Sequence, residues 1–152
     1  MLLIGVGNEF RSDDAAGLIT ARMLFHRIGD KTQIIEMSGE GAALIEAWKN
    51  MSAVILIDAV SSGAPAGTIH RLDASTQNIP SDFFHYSSHA FGVAKAVELS
   101  RELKNLPPRF IIYGIEGKSF HAGTVLSSEV NKALPVIIDL IVKEIELFSS
   151  DN

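Results

Sequence analysis

The stretch Gly5-Val6-Gly7-Asn8-Glu9-Phe10-Arg11-Ser12-Asp13-Asp14-Ala15-Ala16-Gly17 decides how this chain is read. The apolar run Met1 to Ile4 leads into it, and helical spacing of apolar residues leaves it from about Asp13. An apolar run closed by glycine predicts a buried strand over Leu2 to Val6, then a glycine turn, then a helix carrying two acids in its first turn. A helix N-terminus favours carboxylates through its dipole and its unpaired amides. Ser12 or Asp13 suffices as the cap, so one acid reads as structural. Two adjacent acids exceed what one cap needs, which leaves the Asp14 carboxylate to spare.

Outward from there, Ala15, Leu18, Ile19, Met23 and Leu24 carry the helix to about Ile28, where Gly29-Asp30 stops it. Thr32 to Met37 reads as a second strand. Ser38-Gly39-Glu40-Gly41 then turns into a short helix with Leu44, Ile45 and Trp48. Ala53 to Ile57 holds no polar residue before Asp58, the pattern of a strand buried on both faces in a parallel sheet. Ser61 to Gly67 is a Gly/Pro turn, and Thr68 to Leu72 returns as an antiparallel edge strand. Asp73 to Ser88 is a long polar loop without periodicity, a class of loop that is often functional.

Ser87-Ser88 are placed to cap the next helix, with the face Phe91, Ala94, Val97 and Leu99, ending before Pro107-Pro108. Phe110 to Tyr113 is another buried strand and Glu116 to Val125 a loop. Ser127 or Ser128 caps a last helix with the face Val130, Leu134, Ile137, Ile141, Ile145 and Phe148, and Pro135 is expected to kink it or mark its first turn. Alternating strands and helices predict one domain over residues 1–152. Its expected form is α/β, a three-layer α/β/α sandwich around a mostly parallel, roughly five-stranded twisted sheet with right-handed crossovers.

Composition narrows the function classes. The chain has 152 residues, 47% hydrophobic and 20% charged, with a net charge of -5. That is a globular composition, and with no basic run a nucleic-acid partner is not expected. Without cysteine, disulfides, thiolate metal sites and cysteine nucleophiles are excluded. No basic segment precedes the first apolar run, and no stretch approaches the ~20 apolar residues of a membrane span, so a cytoplasmic protein without membrane insertion is expected.

Ligands of such sheets bind beyond the carboxyl ends of the strands. Asp14 follows the first strand and Asp58 ends the most buried one. His89 opens a helix after the long loop. If the first and third strands are neighbours, these three side chains converge at one edge, where two carboxylates and an imidazole suit a borderline divalent metal such as zinc or nickel. Plain structural roles stand beside this reading: Asp14 as a helix-start acid, Asp58 as a turn former, His89 as a partner of a backbone carbonyl. His26, His70, His85 and His121 read as solvent-facing or structural, though His121 and Glu116 lie in a late loop that reaches towards the same edge. Other motifs fail. The third glycine of a dinucleotide fingerprint is Phe10, and the upstream glycine of a phosphate loop ending at Gly117-Lys118-Ser119 is Ile112. HExxH and GxSxG are absent.

Four segments in order resemble the hydrogenase maturation endopeptidases: Gly5-Val6-Gly7-Asn8 with Asp13-Asp14 and Gly17; Leu56-Ile57-Asp58-Ala59-Val60; Ser88-His89-Ala90-Phe91-Gly92; and Tyr113-Gly114-Ile115-Glu116-Gly117. The resemblance covers nearly the whole chain. It implies an aspartyl-type or metal-dependent endopeptidase that removes a C-terminal extension from a nickel-loaded hydrogenase large-subunit precursor. Asp14, Asp58 and His89 correspond to the family's metal-binding residues. The nickel arrives in the substrate, with zinc or cadmium able to substitute in vitro. One of Asp14 or Asp58 is then the expected base in metal-assisted hydrolysis, with Glu116 the base if the metal only docks the substrate. Ala15 stands where many members have glycine, and Ser38-Gly39-Glu40 replaces a Gly-Thr-type loop tied to substrate choice. The other readings are a non-catalytic nickel-sensing maturation chaperone and a nucleotide-binding α/β domain.

Overall fold

Strand β1 (Leu2–Val6) is buried along its whole length, with a strand paired on each side of it. The structure, a computed structural model, describes residues 1–84 and 89–150. The further strands are β2 (Gln33–Met37), β3 (Ala53–Val60), β4 (Ile69–Asp73) and β5 (Arg109–Glu116). The helices are α1 (Ala16–Phe25), α2 (Gly41–Trp48), α3 (Val93–Glu102) and α4 (Ser128–Ser150). The sheet runs β2-β1-β3-β5-β4, with β4 antiparallel at one edge and the other pairs parallel. The expected five-stranded α/β sandwich is therefore the observed fold. The chain leaves β1 for β2 on one side and then crosses to β3 on the other, so β1 and β3 flank the point where strand order reverses.

Alternation along the strands builds two cores. Leu2, Ile4 and Val6 of β1 and Val54, Leu56 and Val60 of β3 face α2 and α3. Leu3 of β1 and Ile55, Ile57 and Ala59 of β3 face α1 and α4. Each fully buried Leu or Ile contributes about 1.5–3 kcal/mol. Trp48 lies edge-on to Phe110, and its indole N–H donates to Ser100 Oγ at 2.9 Å, so neither its area nor its one polar atom is wasted. Among the described residues no helix is long and apolar enough to cross a membrane.

Several boundaries differ from those expected. β3 continues two residues past Asp58, because Asp58, Ala59 and Val60 still pair with Gly114, Ile115 and Glu116. The first helix opens as a 3-10 turn over Ser12–Ala15 and ends at Phe25. The loop from Asp73 is not simply polar, since it buries Ala74, Ile79, Phe83 and Phe84 against the α2/α3 face. Phe91 precedes α3, and Leu99 is exposed; Val93, Ala94, Ala96, Val97 and Ser100 are the buried positions of α3. Pro135 sits inside α4, which continues past it. The Ser87-Ser88 cap and His85 lie outside the described residues.

Candidate active site

Glycines let α1 seat directly over the gap between β1 and β3. A Cβ on Gly17 would strike the carbonyl oxygens of both Val6 and Ile57, so the helix backbone lies against both strand ends. Gly17 supplies the close helix packing that a dinucleotide fingerprint would place at Phe10. Gly7 has φ +154°, and a Cβ there would collide with the Asp14 carbonyl. The turn is thereby compressed until Asp14 stands at the carboxyl ends of β1 and β3.

The two adjacent acids part company here. Neither Ser12 nor Asp13 is a cap: Arg11 holds that position for the 3-10 turn and Ala15 for α1, neither with a side-chain capping bond. Asp13 is fully buried and accepts hydrogen bonds from four donors: the Lys118, Ser119 and Ser127 amides at 2.7, 3.1 and 2.7 Å, and Ser127 Oγ at 2.9 Å. Ser12 Oγ donates to the His121 carbonyl at 2.8 Å. Ser127 in turn caps α4, its Oγ accepting from the Val130 amide at 3.4 Å. The acid read as a helix cap instead fastens the loop after β5 to the turn after β1.

Asp14 is half-buried, and burial raises its pKa. The Arg11 charge, the Asn8 amide and the His89 imidazole oppose that rise. Asp58 is buried, and its pKa is pushed well above the ordinary carboxyl value, first by burial and then by the neighbouring Asp14 charge, with the Ala59 amide opposing. The structure thus brings Asp14 within electrostatic reach of both Asp58 and His89. Among the described residues, no three histidine, aspartate or glutamate side chains stand as a ready-made metal-binding group.

His89 is set by the turn after β2. A Cβ on Gly39 would lie 3.8 Å from the His89 ring, and a Cβ on Gly41 would press into the Phe91 ring. The Gly41 amide donates to the Phe91 carbonyl at 2.8 Å. Glu40 caps α2, accepting from the Ala42 and Ala43 amides at 2.9 Å each, and those bonds lower its pKa, with a smaller contribution from His89. A groove of about 460 Å³ opens beside these groups, lined by Gly7, Asn8, Phe10, Arg22, Met37 and His89 among others.

Glu116 has a structural assignment. It is buried and accepts from the Ser62 and Gly63 amides, from Ser62 Oγ and from His70 Nε2 at 3.0 Å. These four donors hold this carboxylate in place. His70 is structural, its ring edge-on to Phe83 at 4.9 Å. His26 and His121 are exposed. His121 lines a smaller pocket of about 180 Å³ with Arg11 and Lys118. Arg11 was not singled out as a site residue by sequence reasoning. Its position three residues before Asp14 was the available signal.

Residues 18–144 match the family described as hydrogenase maturation protease (HycI). That match includes Asp58 and His89 and starts after Asp14. The chain is 21% identical over 118 residues to the hydrogenase expression/formation protein HupD of Thiocapsa roseopersicina, covering 76% of this chain and 53% of the relative. It therefore spans about half the length of that curated relative. The fold is similar to the hydrogenase maturating endopeptidase HybD from E. coli, with TM-score 0.78, 20% identity and coverage of 95% of this chain and 91% of that one. It is also similar to a [NiFe] hydrogenase maturation protease HycI from Thermococcus kodakarensis KOD1, with TM-score 0.72, 18% identity and coverage of 93% and 89%.

Proposed function

The chain belongs to the hydrogenase maturation protease family, and from that premise we propose that it removes a C-terminal extension from a nickel-loaded hydrogenase large-subunit precursor, reading the client's nickel with Asp14, Asp58 and His89. The observation that carries this reading is the strained acid pair at the sheet's reversal point. Burial holds Asp14 and Asp58 above ordinary carboxyl pKa values, and the Asp14 charge adds to the rise at Asp58. A divalent cation beside them relieves that cost by neutralising both, and two carboxylates with one imidazole are suitable donors for nickel.

Nickel is part of the substrate here, and it supplies Lewis-acid polarisation close to the scissile bond. The chain's own part is to grip the loaded client and to move a proton. A carboxylate oxygen of Asp14 or Asp58 that does not engage the nickel accepts the attacking water's proton and passes it to the leaving amine. Asp58 is the more buried of the two and so the better shielded from bulk water. Glu116, with four partners already, supports the same division of labour by being occupied elsewhere.

The test is mass spectrometry of nickel-loaded and nickel-free precursor after incubation with the protein and with the variants Asp14→Asn, Asp58→Asn and His89→Ala. The expected outcome is a shortened subunit only with nickel and only with the parent protein. A loaded subunit that stays bound and full-length would instead make the protein a nickel-sensing chaperone.

A further inference from the structure

The two edges of the sheet are finished differently. β4, the antiparallel edge, carries His70, Arg71 and Asp73, and Arg71 forks onto Glu144 at 2.7 and 2.8 Å. Charges of this kind discourage another strand from pairing. β2, the opposite edge, has the sequence Gln-Ile-Ile-Glu-Met, with Ile34 and Ile35 only partly buried and no proline.

The register says which backbone groups of β2 face outward. The Gln33 amide donates to the Met1 carbonyl and the Met37 carbonyl accepts from the Gly7 amide, so Gln33, Ile35 and Met37 point their peptide groups at β1. By alternation, Ile34 and Glu36 point theirs away from the sheet. Among the described residues, no backbone partner takes them up.

A trough follows this open edge. Its far part, about 490 Å³, lies between Phe25, His26 and the strand residues Ile34 to Glu36. Its near part is the groove that reaches Met37, Gly7 and His89. Both parts share Arg22 and Glu36, which are forked together at 2.8 Å by two bonds. Phe25 and Phe10, 67% and 65% exposed, offer apolar contact at its two parts. From Ile34 to Met37 an extended chain advances about 10 Å.

We infer that the outer edge of β2 is the docking strand for the client: an extended segment of the precursor next to the scissile bond pairs with the Ile34 and Glu36 peptide groups as a sixth strand. This deepens the peptidase reading and rests on it for the client's identity. The near groove reaches His89 and the Gly7-Asn8 turn, and this is what selects that occupant, since a strand laid there heads towards the turn that carries Asp14. Main-chain pairing supplies affinity in such additions, and alternate side-chain pockets supply selectivity.

Two measurements test it, with the nickel-loaded precursor as the probe. In amide hydrogen exchange, the precursor is expected to protect Ile34 and Glu36. In kinetics, Glu36→Pro removes an outward N–H and Glu36→Ala removes only the side chain. The proline variant is expected to raise KM about tenfold over the alanine variant, with kcat little changed. Cleavage that proceeds without protection at Ile34 and Glu36, or equal KM values in the two variants, overturns the docking assignment and leaves the peptidase reading intact. Protection of those amides on a precursor that is never cut supports the docking strand and overturns the peptidase reading. The exchange experiment uses the parent protein, so it stands even if Glu36→Pro fails to fold.

Discussion

Asp13 and Glu116 lie as deep in the molecule as Asp58, yet each of the first two accepts from four donors. Asp58 instead faces the charge of Asp14, with the Ala59 amide as its favourable contribution. Burial is common to all three and so does not separate scaffold from chemistry; the supply of donors does. A carboxylate surrounded by amides and hydroxyls is an organising centre for loops. A carboxylate buried against another acid is held in an unfavourable state that a cation or a proton can relieve.

The largest expected effect tests the second class. Asp58→Asn or Asp14→Asn should lower cleavage of the nickel-loaded precursor by about 10²–10⁴-fold, with the chain still folded by circular dichroism. Asp13→Ala tests the first class. It strands the Lys118, Ser119 and Ser127 amides, and should cost about 3 kcal/mol in urea denaturation. Most of its activity loss should then be recovered where the folded fraction is restored by lower temperature.

Glu116→Gln sharpens the contrast further. It should cost about 1–2 kcal/mol while cleavage stays within about threefold of the parent. A fall of about a hundredfold or more would make Glu116 a catalytic base and dissolve the distinction.

The smallest effect is a pH dependence. The folded pKa of Asp58 lies above its unfolded value, so between the two the folded chain holds a proton that the unfolded chain has released. Stability therefore falls as pH rises through that window. Asp58→Asn removes this cost, so its melting temperature should exceed the parent's at neutral pH, with the gap closing towards pH about 4. A gap of constant size from acid to neutral pH would show that Asp58 is not paying for its burial.

Much of this was legible in the linear pattern. The unbroken apolar run before Asp58 identified the central strand, and the glycine turn after β1 identified the helix that presents Asp14. Both signals are local, written in neighbouring residues. What stayed hidden depends on partners far along the chain. Asp13 looked like a cap because its true donors lie 105 to 114 residues later. Glu116 looked available because nothing near it in sequence announces Ser62, Gly63 or His70. The end of β3 was placed two residues early because a buried acid inside a strand has the same local signature as one that closes it. The outward peptide groups of β2 were equally invisible, since an edge is a property of strand order and not of composition.

The Asp13 clamp also bears on how the protein is made. Its carboxylate leaves the ribosome well before Ser127, which follows 114 residues behind. At about 5–20 residues per second that is a wait of several seconds or more. Until Lys118, Ser119 and Ser127 have emerged, the turn holding Asp14 lacks its full anchor on the far side. A nascent chain is thus poorly equipped to hold Asp14 in place until α4 has begun to emerge.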